Sequence, residues 1–207
     1  MAVQYGNASI ATILQFIGPF FIIAYQAMFR HLPPRRIEII SAIIAFLGVF
    51  IIATHGQFNH LAMTLSVLIW GLISAIGVAT NTLIPQNMLR EGRVPSLIIT
   101  GWGLLFAGLT LVLIHPSQPH IPNIPSVWLY VLGILVIGTL IPFQLANNSL
   151  KYIDATTFSL MDAFEPLSAT IGSVLIFHLQ MTGADILGSI LVIVAVLAIN
   201  IRIPQKI

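Results

Sequence analysis

Cysteine is absent from the 207-residue chain, which removes disulfides, thiolate catalysis and Cys-ligated metals and leaves the redox compartment undetermined. Charge is almost as scarce. Charged residues make up 7% of the sequence against 57% apolar, where a soluble domain carries roughly 25% charged residues, and the mean hydropathy is +1.00. The fold class expected is therefore an all-α integral membrane protein, a polytopic helical bundle with the lipid bilayer as its main partner. The basic pI of 9.3 rests on eight Lys and Arg against six Asp and Glu, too few for a nucleic-acid surface. The start, Met-Ala-Val-Gln-Tyr-Gly-Asn, has no basic n-region or small-residue cleavage site and is not read as a signal peptide. Neither a nucleotide loop nor a Ser/His/Asp grouping nor a zinc-protease motif occurs, so neither an enzyme nor a cofactor is expected.

What is present is a series of long apolar runs. A helix rises about 1.5 Å per residue and the hydrocarbon core is about 30 Å thick, so a span needs roughly 17 to 25 apolar residues. Seven runs qualify or nearly qualify, over residues 8–29, 37–54, 61–84, 94–114, 127–147, 155–177 and 186–201. Arg30, Arg35 and Arg36 follow the first, Arg90 and Arg93 the third, Lys151 the fifth, and Arg202 and Lys206 the seventh. The intervening loops, 55–60, 115–126 and 178–185, hold no Lys or Arg. Seven spans thus put every basic residue on one side, which the positive-inside rule makes cytoplasmic together with the C-terminus.

The chain also repeats itself at an offset of 147 residues. Tyr5, Asn7, Ala8 and Ser9 match Tyr152, Asp154, Ala155 and Thr156; Pro19 matches Pro166; His31-Leu32 matches His178-Leu179; Val49 and Ile52 match Val196 and Ile199. One copy enters from outside and the other from inside, so the repeat is inverted, a signature of secondary transporters with a site near the midplane. Three spans precede the second copy and none precedes the first. The expected organisation is a single membrane domain, with residues 1–56 an incomplete first repeat of two helices and 61–203 a second repeat of five. A gene fragment, a misassigned start and a shorter functional form would each produce this pattern.

Residues 151–178 are the anomaly. With Ala155 near the cytoplasmic face, Asp162 lies about 10 Å and Glu165 about 15 Å along the helix axis, near the midplane and on one face. An ionised carboxylate there costs about 2.5 to 3.5 kcal/mol, and no Lys or Arg lies inside any span to pair with it. Each acid must hold its proton or meet a water-filled cavity. Glu165 therefore reads either as a proton- or substrate-binding carboxylate or as a packing acid, with Asp162 its polar neighbour. Pro166 and Pro19 each lack the N–H that would reach the carbonyl of Asp162 or Gln15, so two kinked helices with open carbonyls are expected at matching depth, lining a cavity or merely packing. Gln15, Trp70, Asn81, Trp102, Gln144 and Asn147 are further candidates. Asn81 and Gln144 fall towards cytoplasmic ends, whereas Trp70 and Trp102 are nearer mid-span than an interfacial belt predicts. Gly71, Ala75 and Ala79, and separately Gly101 and Gly108, offer small faces for close helix approach. The run His115-Pro-Ser-Gln-Pro-His120 lacks helical spacing and acids, and reads as a Pro-rich loop rather than a metal clamp; no metal site is expected.

The run from Tyr5 to Pro19, the Gly48-Val49 and Thr54-His55-Gly56 ending, and Asp162-Ala-Phe-Glu165-Pro166-Leu-Ser-Ala169 resemble EamA-type permeases of the drug/metabolite transporter superfamily. The resemblance covers essentially the whole chain, matched to the last seven helices of a ten-helix pattern, and is most specific at Glu165-Pro166-Leu-Ser-Ala169. It implies a bacterial inner-membrane carrier of a small-molecule solute, built from two inverted five-helix repeats around a central cavity. The expected function is secondary transport of a small organic metabolite by proton- or ion-coupled alternating access. The alternative is a non-transporting fragment or membrane subunit whose missing helices come from a partner, in a homo- or heterodimer.

Overall fold

The computed structural model describes residues 8–56, 65–114, 116, 124–178 and 180–200, and within these the regular structure is helical throughout. The order is α1 (Ala8–Gln15), α2 (Gly18–Phe29), α3 (Arg36–Thr54), α4 (Leu65–Arg90), α5 (Ser96–Ile114), α6 (Pro125–Leu135), a π turn (Val136–Leu140), α7 (Ile141–Ser149), α8 (Ala155–Met161), α9 (Phe164–Phe177) and α10 (Gly183–Asn200). Tyr5 and Asn7 of the repeat, the run His115 to His120 apart from Pro116, Leu179, Arg202 and Lys206 lie outside the described residues. Helices are what a hydrocarbon solvent demands, because each backbone donor and acceptor must be satisfied within the segment. Several hydroxyls in them are satisfied in the same way, although the buried Ser41 Oγ of α3 has no partner among the described residues. Thr54 donates to the Phe50 carbonyl (2.8 Å), Thr110 to that of Phe106 (2.7 Å) and Ser189 to that of Asp185 (2.6 Å).

Among the described residues, five stretches are long and apolar enough to cross a membrane: Ile10–Phe29, Arg36–Thr54, Leu65–Arg90, Ser96–Ile114 and Pro125–Ser149. Gly183–Ile199 is a shorter apolar helix. Three expected boundaries move. The third run extends to Arg90 with Pro85 inside the helix. The fifth runs from Pro125 to Ser149 through the π turn, where Ile141 N–H reaches back to the Val136 carbonyl ahead of Pro142. The seventh begins at Gly183 and so takes Asp185 into its first turn.

The runs 8–29 and 155–177 are interrupted rather than merely kinked. A two-residue turn at Phe16-Ile17 separates α1 from α2, and another at Asp162-Ala163 separates α8 from α9. The expectation of an open carbonyl at Asp162 is corrected here. Its oxygen accepts the Glu165 N–H at 3.0 Å, while Ala163 N–H bonds to Leu160 O at 3.2 Å. A tight i→i+3 turn thus takes up the acceptor that Pro166 cannot serve. Pro19 falls in the first turn of α2, where a missing N–H costs nothing.

The chain divides into two compact units, residues 1–83 with 154–207, and residues 84–153. In the first unit the principal seam is α3 against α10. Ala42, Ala45, Val49 and Ile52 on one helix and Val192, Ala195 and Ile199 on the other are all buried and belong to one cluster, together with Phe16, Leu160, Ala163 and Leu167. Lipid tails are as apolar as leucine, so this seam is held by close packing rather than by escape from water. Gly48 and Gly188 make the approach possible. A methyl on Gly48 would stand 2.8 Å from the Gly188 carbonyl oxygen, and one on Gly188 would stand 2.7 Å from that of Gly48. The small face of α4 also packs as its composition suggests: Gly71 sits against Leu14, and Ala75 and Ala79 are buried.

The second unit holds the end of α4 from Ile84 and helices α5 to α7. Two contacts tie α5 to α7: Asn147 Nδ2 donates to Thr100 Oγ1 and Gln144 Nε2 donates to Ser96 Oγ, each at 3.0 Å. Gln86 and Arg90 both donate to the Ile153 carbonyl, at 3.1 and 3.0 Å. Elsewhere α5 and α6 present apolar side chains outward, Leu113 and Tyr130 among them, as lipid-facing helices do. Gly101 and Gly108 meet nothing within 4 Å, so among the described residues the close approach expected at that pair is not made.

Candidate functional site

The first unit contains a cavity of about 430 Å³ whose wall includes Thr12, Ile52, Glu165, Pro166, Thr170, Ser173 and Asp185. A smaller hollow of about 50 Å³ shares Thr12, Glu165 and Pro166 with it and adds Gln15, Phe16, Pro19, Val78, Ser159 and Asp162. Both helix interruptions therefore face one place. The reason lies in the local sequence: Gly18-Pro19 and Glu165-Pro166 each start a helix after a turn, so α2 and α9 begin inside the unit rather than at its surface. Glu165 occupies the first turn of α9, where the unsatisfied N–H groups and the helix dipole favour a negative group. On α2 no acid stands in the first turn.

At its other end the cavity reaches α10 and the residues before it. The Asp185 carboxylate is buried, and it accepts the Thr182 N–H at 2.8 Å, the Thr182 hydroxyl at 2.9 Å and His55 Nδ1 at 2.7 Å. The Thr182 hydroxyl lies 3.2 Å from the Asp185 N–H in return, a reciprocal capping box. Asp185 precedes the apolar run that starts at Ile186. His55 itself ends α3 in the left-handed conformation, with φ of 49°, and its ring is mostly exposed.

Five of the residues expected from the sequence are brought together here: Gln15, Pro19, Asp162, Glu165 and Pro166. The others are elsewhere. Trp70 is largely exposed on α4 and Asn81 is exposed on the same helix; neither lines these two cavities. Trp102 is exposed in the second unit, stacked on Phe106 with ring centres 5.6 Å apart. Gln144 is half-buried in that unit, and its Oε1 has no partner. Sequence reasoning missed Asp185, His55 and Thr182 as lining residues. A signal was available in Thr182-Gly-Ala-Asp185, an S/T-x-x-D spacing directly before an apolar run.

The EamA-like transporter family model matches residues 65–201. The uncharacterized inner membrane transporter YicL of Salmonella typhimurium is 29% identical over 203 residues, covering 97% of this chain and 67% of that protein. An uncharacterized transporter of Archaeoglobus fulgidus is 22% identical over 95% of this chain and 68% of its own length. A crystal structure shares the fold with a TM-score of 0.75 at 16% identity, covering 96% of this chain and 69% of that one.

Proposed function

We propose that this chain, which belongs to the EamA-like transporter family and is a membrane transporter, is a secondary carrier of a small organic metabolite that works by proton-coupled alternating access. The single observation that carries the reading is Glu165. It stands where a span is interrupted near mid-depth, at the shared wall of the 430 Å³ cavity and of the hollow that holds Asp162. Broken helices that meet at a cavity are the usual construction of a transporter site. Glu165 is the carboxylate that exchanges the proton or holds the solute, with Asp162 its polar neighbour and Gln15 facing them.

The proposal includes seven spans, with the interrupted pair α8–α9 and the shorter α10 counted as two of them. It also includes an inverted repeat, residues 1–56 against part of 61–203, and a cytoplasmic C-terminus in a bacterial inner membrane. The repeat is supported by backbone detail as well as by matched residues: His31 and His178, 147 positions apart, both take left-handed φ, at 51° and 53°. The family match over 65–201 coincides with the five helices assigned to the second copy. The inner-membrane setting follows the name of the Salmonella relative.

The test is solute-driven proton movement in proteoliposomes with a pH dye inside. Wild-type protein should couple solute entry or exit to proton flux, and Glu165→Gln should lose at least ten-fold of the coupled rate. Solute movement that ignores the pH gradient and persists in Glu165→Gln would overturn the role of Glu165. A second reading, a subunit whose cavity is completed by helices of a partner, is favoured by one observation. Gln15 and Glu165, both polar and near mid-span, are exposed within the unit that holds them, which hydrocarbon does not tolerate cheaply. Purification of a stable hetero-oligomer, inactive when separated, would select that reading.

A further inference from the structure

Resting on the transporter reading above, we propose that the 430 Å³ cavity selects a small organic cation, an amine with an apolar body, and rejects organic anions. The argument is the charge of the lining. Glu165 and Asp185 both contribute to the wall, and among the described lining residues the only basic group is His55. That imidazole is engaged: its Nδ1 lies 2.7 Å from Asp185, so any positive charge it carries is already matched. Among the described residues, no lysine or arginine lines the cavity or the adjoining hollow. A carboxylate or phosphate entering this space would meet Glu165 with nothing to offset the repulsion, at a depth where charge is poorly screened. An ammonium would meet its complement.

The two carboxylates are not equivalent. Asp185 has its oxygens filled by Thr182 and His55, whereas among the described contacts the Glu165 side chain is engaged by no donor and lines both spaces. Glu165 is therefore the ammonium-binding group and Asp185 a structural one. The rest of the wall fits the rest of such a ligand. Ile52, Val174 and Met181 give an apolar surface, and Ser173 and Thr170 add hydroxyl oxygens that can accept from an ammonium, the Thr170 proton being donated to the Pro166 carbonyl. The volume lies within the range of small-molecule sites.

The experiment uses the full chain in lipid nanodiscs and two matched probe pairs, pentylamine against hexanoate and phenethylamine against 3-phenylpropionate, at a pH where the amines are protonated. Binding is read by thermal shift and by calorimetry. The amines should bind and the carboxylates should not. Glu165→Gln should weaken amine binding about ten- to a hundred-fold, as expected for loss of a charged hydrogen-bond partner, while Glu165→Asp should retain most of it. Equal or tighter binding of the carboxylates, or no binding by either amine, overturns the proposal. Amine binding that survives Glu165→Gln with unchanged affinity also overturns it. The transporter reading is judged separately by the proteoliposome assay: carboxylate transport there would leave a carrier with a different specificity, and amine binding without transport would leave the specificity without the carrier.

Discussion

Gly48→Ala should weaken the α3–α10 seam, and the size of the effect follows from its geometry. The added methyl would lie 2.8 Å from the Gly188 carbonyl oxygen, 2.8 Å from Val192 Cγ2 and 3.0 Å from Val192 N. Two of these three atoms are backbone and cannot rotate away. Non-bonded carbon contacts are most favourable at about 3.5 to 4.0 Å, so the helices must part by about half an ångström or more. That separation costs Ala45, Val49, Ile52 and Ala195 part of their dispersion contacts, since a gap of that order forfeits about a quarter to a half of each well. Overpacking of this kind costs about 1 to 3 kcal/mol, partly offset by up to about 1 kcal/mol of helix propensity gained on leaving glycine. The control is Gly108→Ala, where nothing lies within 4 Å and only the propensity gain remains. Unfolding by SDS titration of mixed micelles, followed by tryptophan fluorescence, should move the two variants in opposite directions. Gly188→Ala should behave like Gly48→Ala, and the double variant should lose less than the sum because both methyls push the same helices apart. If Gly48→Ala were as stable as Gly108→Ala, the close approach of the two helices would be refuted.

The remaining predictions address the polar contacts. Asp185→Asn should destabilise the fold at neutral pH by about 1 to 3 kcal/mol, because a buried charged acceptor for Thr182 and His55 is lost. The SDS titration measures this loss, and a variant as stable as wild type would count against the contact. Asn147→Ala removes the 3.0 Å bond to Thr100 and should cost about 0.6 to 1.7 kcal/mol in the same SDS titration; the Thr100 hydroxyl keeps its bond to the Ser96 carbonyl, so a larger loss would mean that more than this contact depends on Asn147.

The existence of the helices was legible because hydrocarbon leaves the backbone few choices, and the expected apolar runs each carry observed helices. Their interruptions were legible only in part. Pro19 and Pro166 marked the places, but proline removes a donor without saying which residues turn, and the turns fall at Phe16-Ile17 and Asp162-Ala163. Gln15, Asp162 and Glu165 stood out because polar groups are few in the apolar runs, and all three line the small hollow. Trp70 and Trp102 did not join them, since an amphipathic ring is as much at ease against lipid as against a cavity. Asp185 and His55 escaped notice because an acid at a helix start and a histidine at a helix end are individually ordinary. Their 2.7 Å contact joins residues 130 positions apart, and no local pattern encodes such a pairing.

The steric surroundings of Gly18 explain why the carboxylate stands where it does. Gly18 corresponds to Glu165 at the offset of 147 residues, and both lie in the first turn of a helix that starts after an interruption. Yet Gly18 is buried, and a methyl there would lie 3.1 Å from Val78 Cγ1 and 3.3 Å from the Ala75 carbonyl oxygen. With α4 pressed against this point, a glutamate could fit only by displacing that helix. Glu165 is exposed and borders open volume instead. On the proposed repeat the two helix starts divide their work: one uses its lack of a side chain to seat α4, and the other places a carboxyl side chain at a cavity. The packing of α4 against Gly18 accounts for the acid standing at the second of the two matched positions.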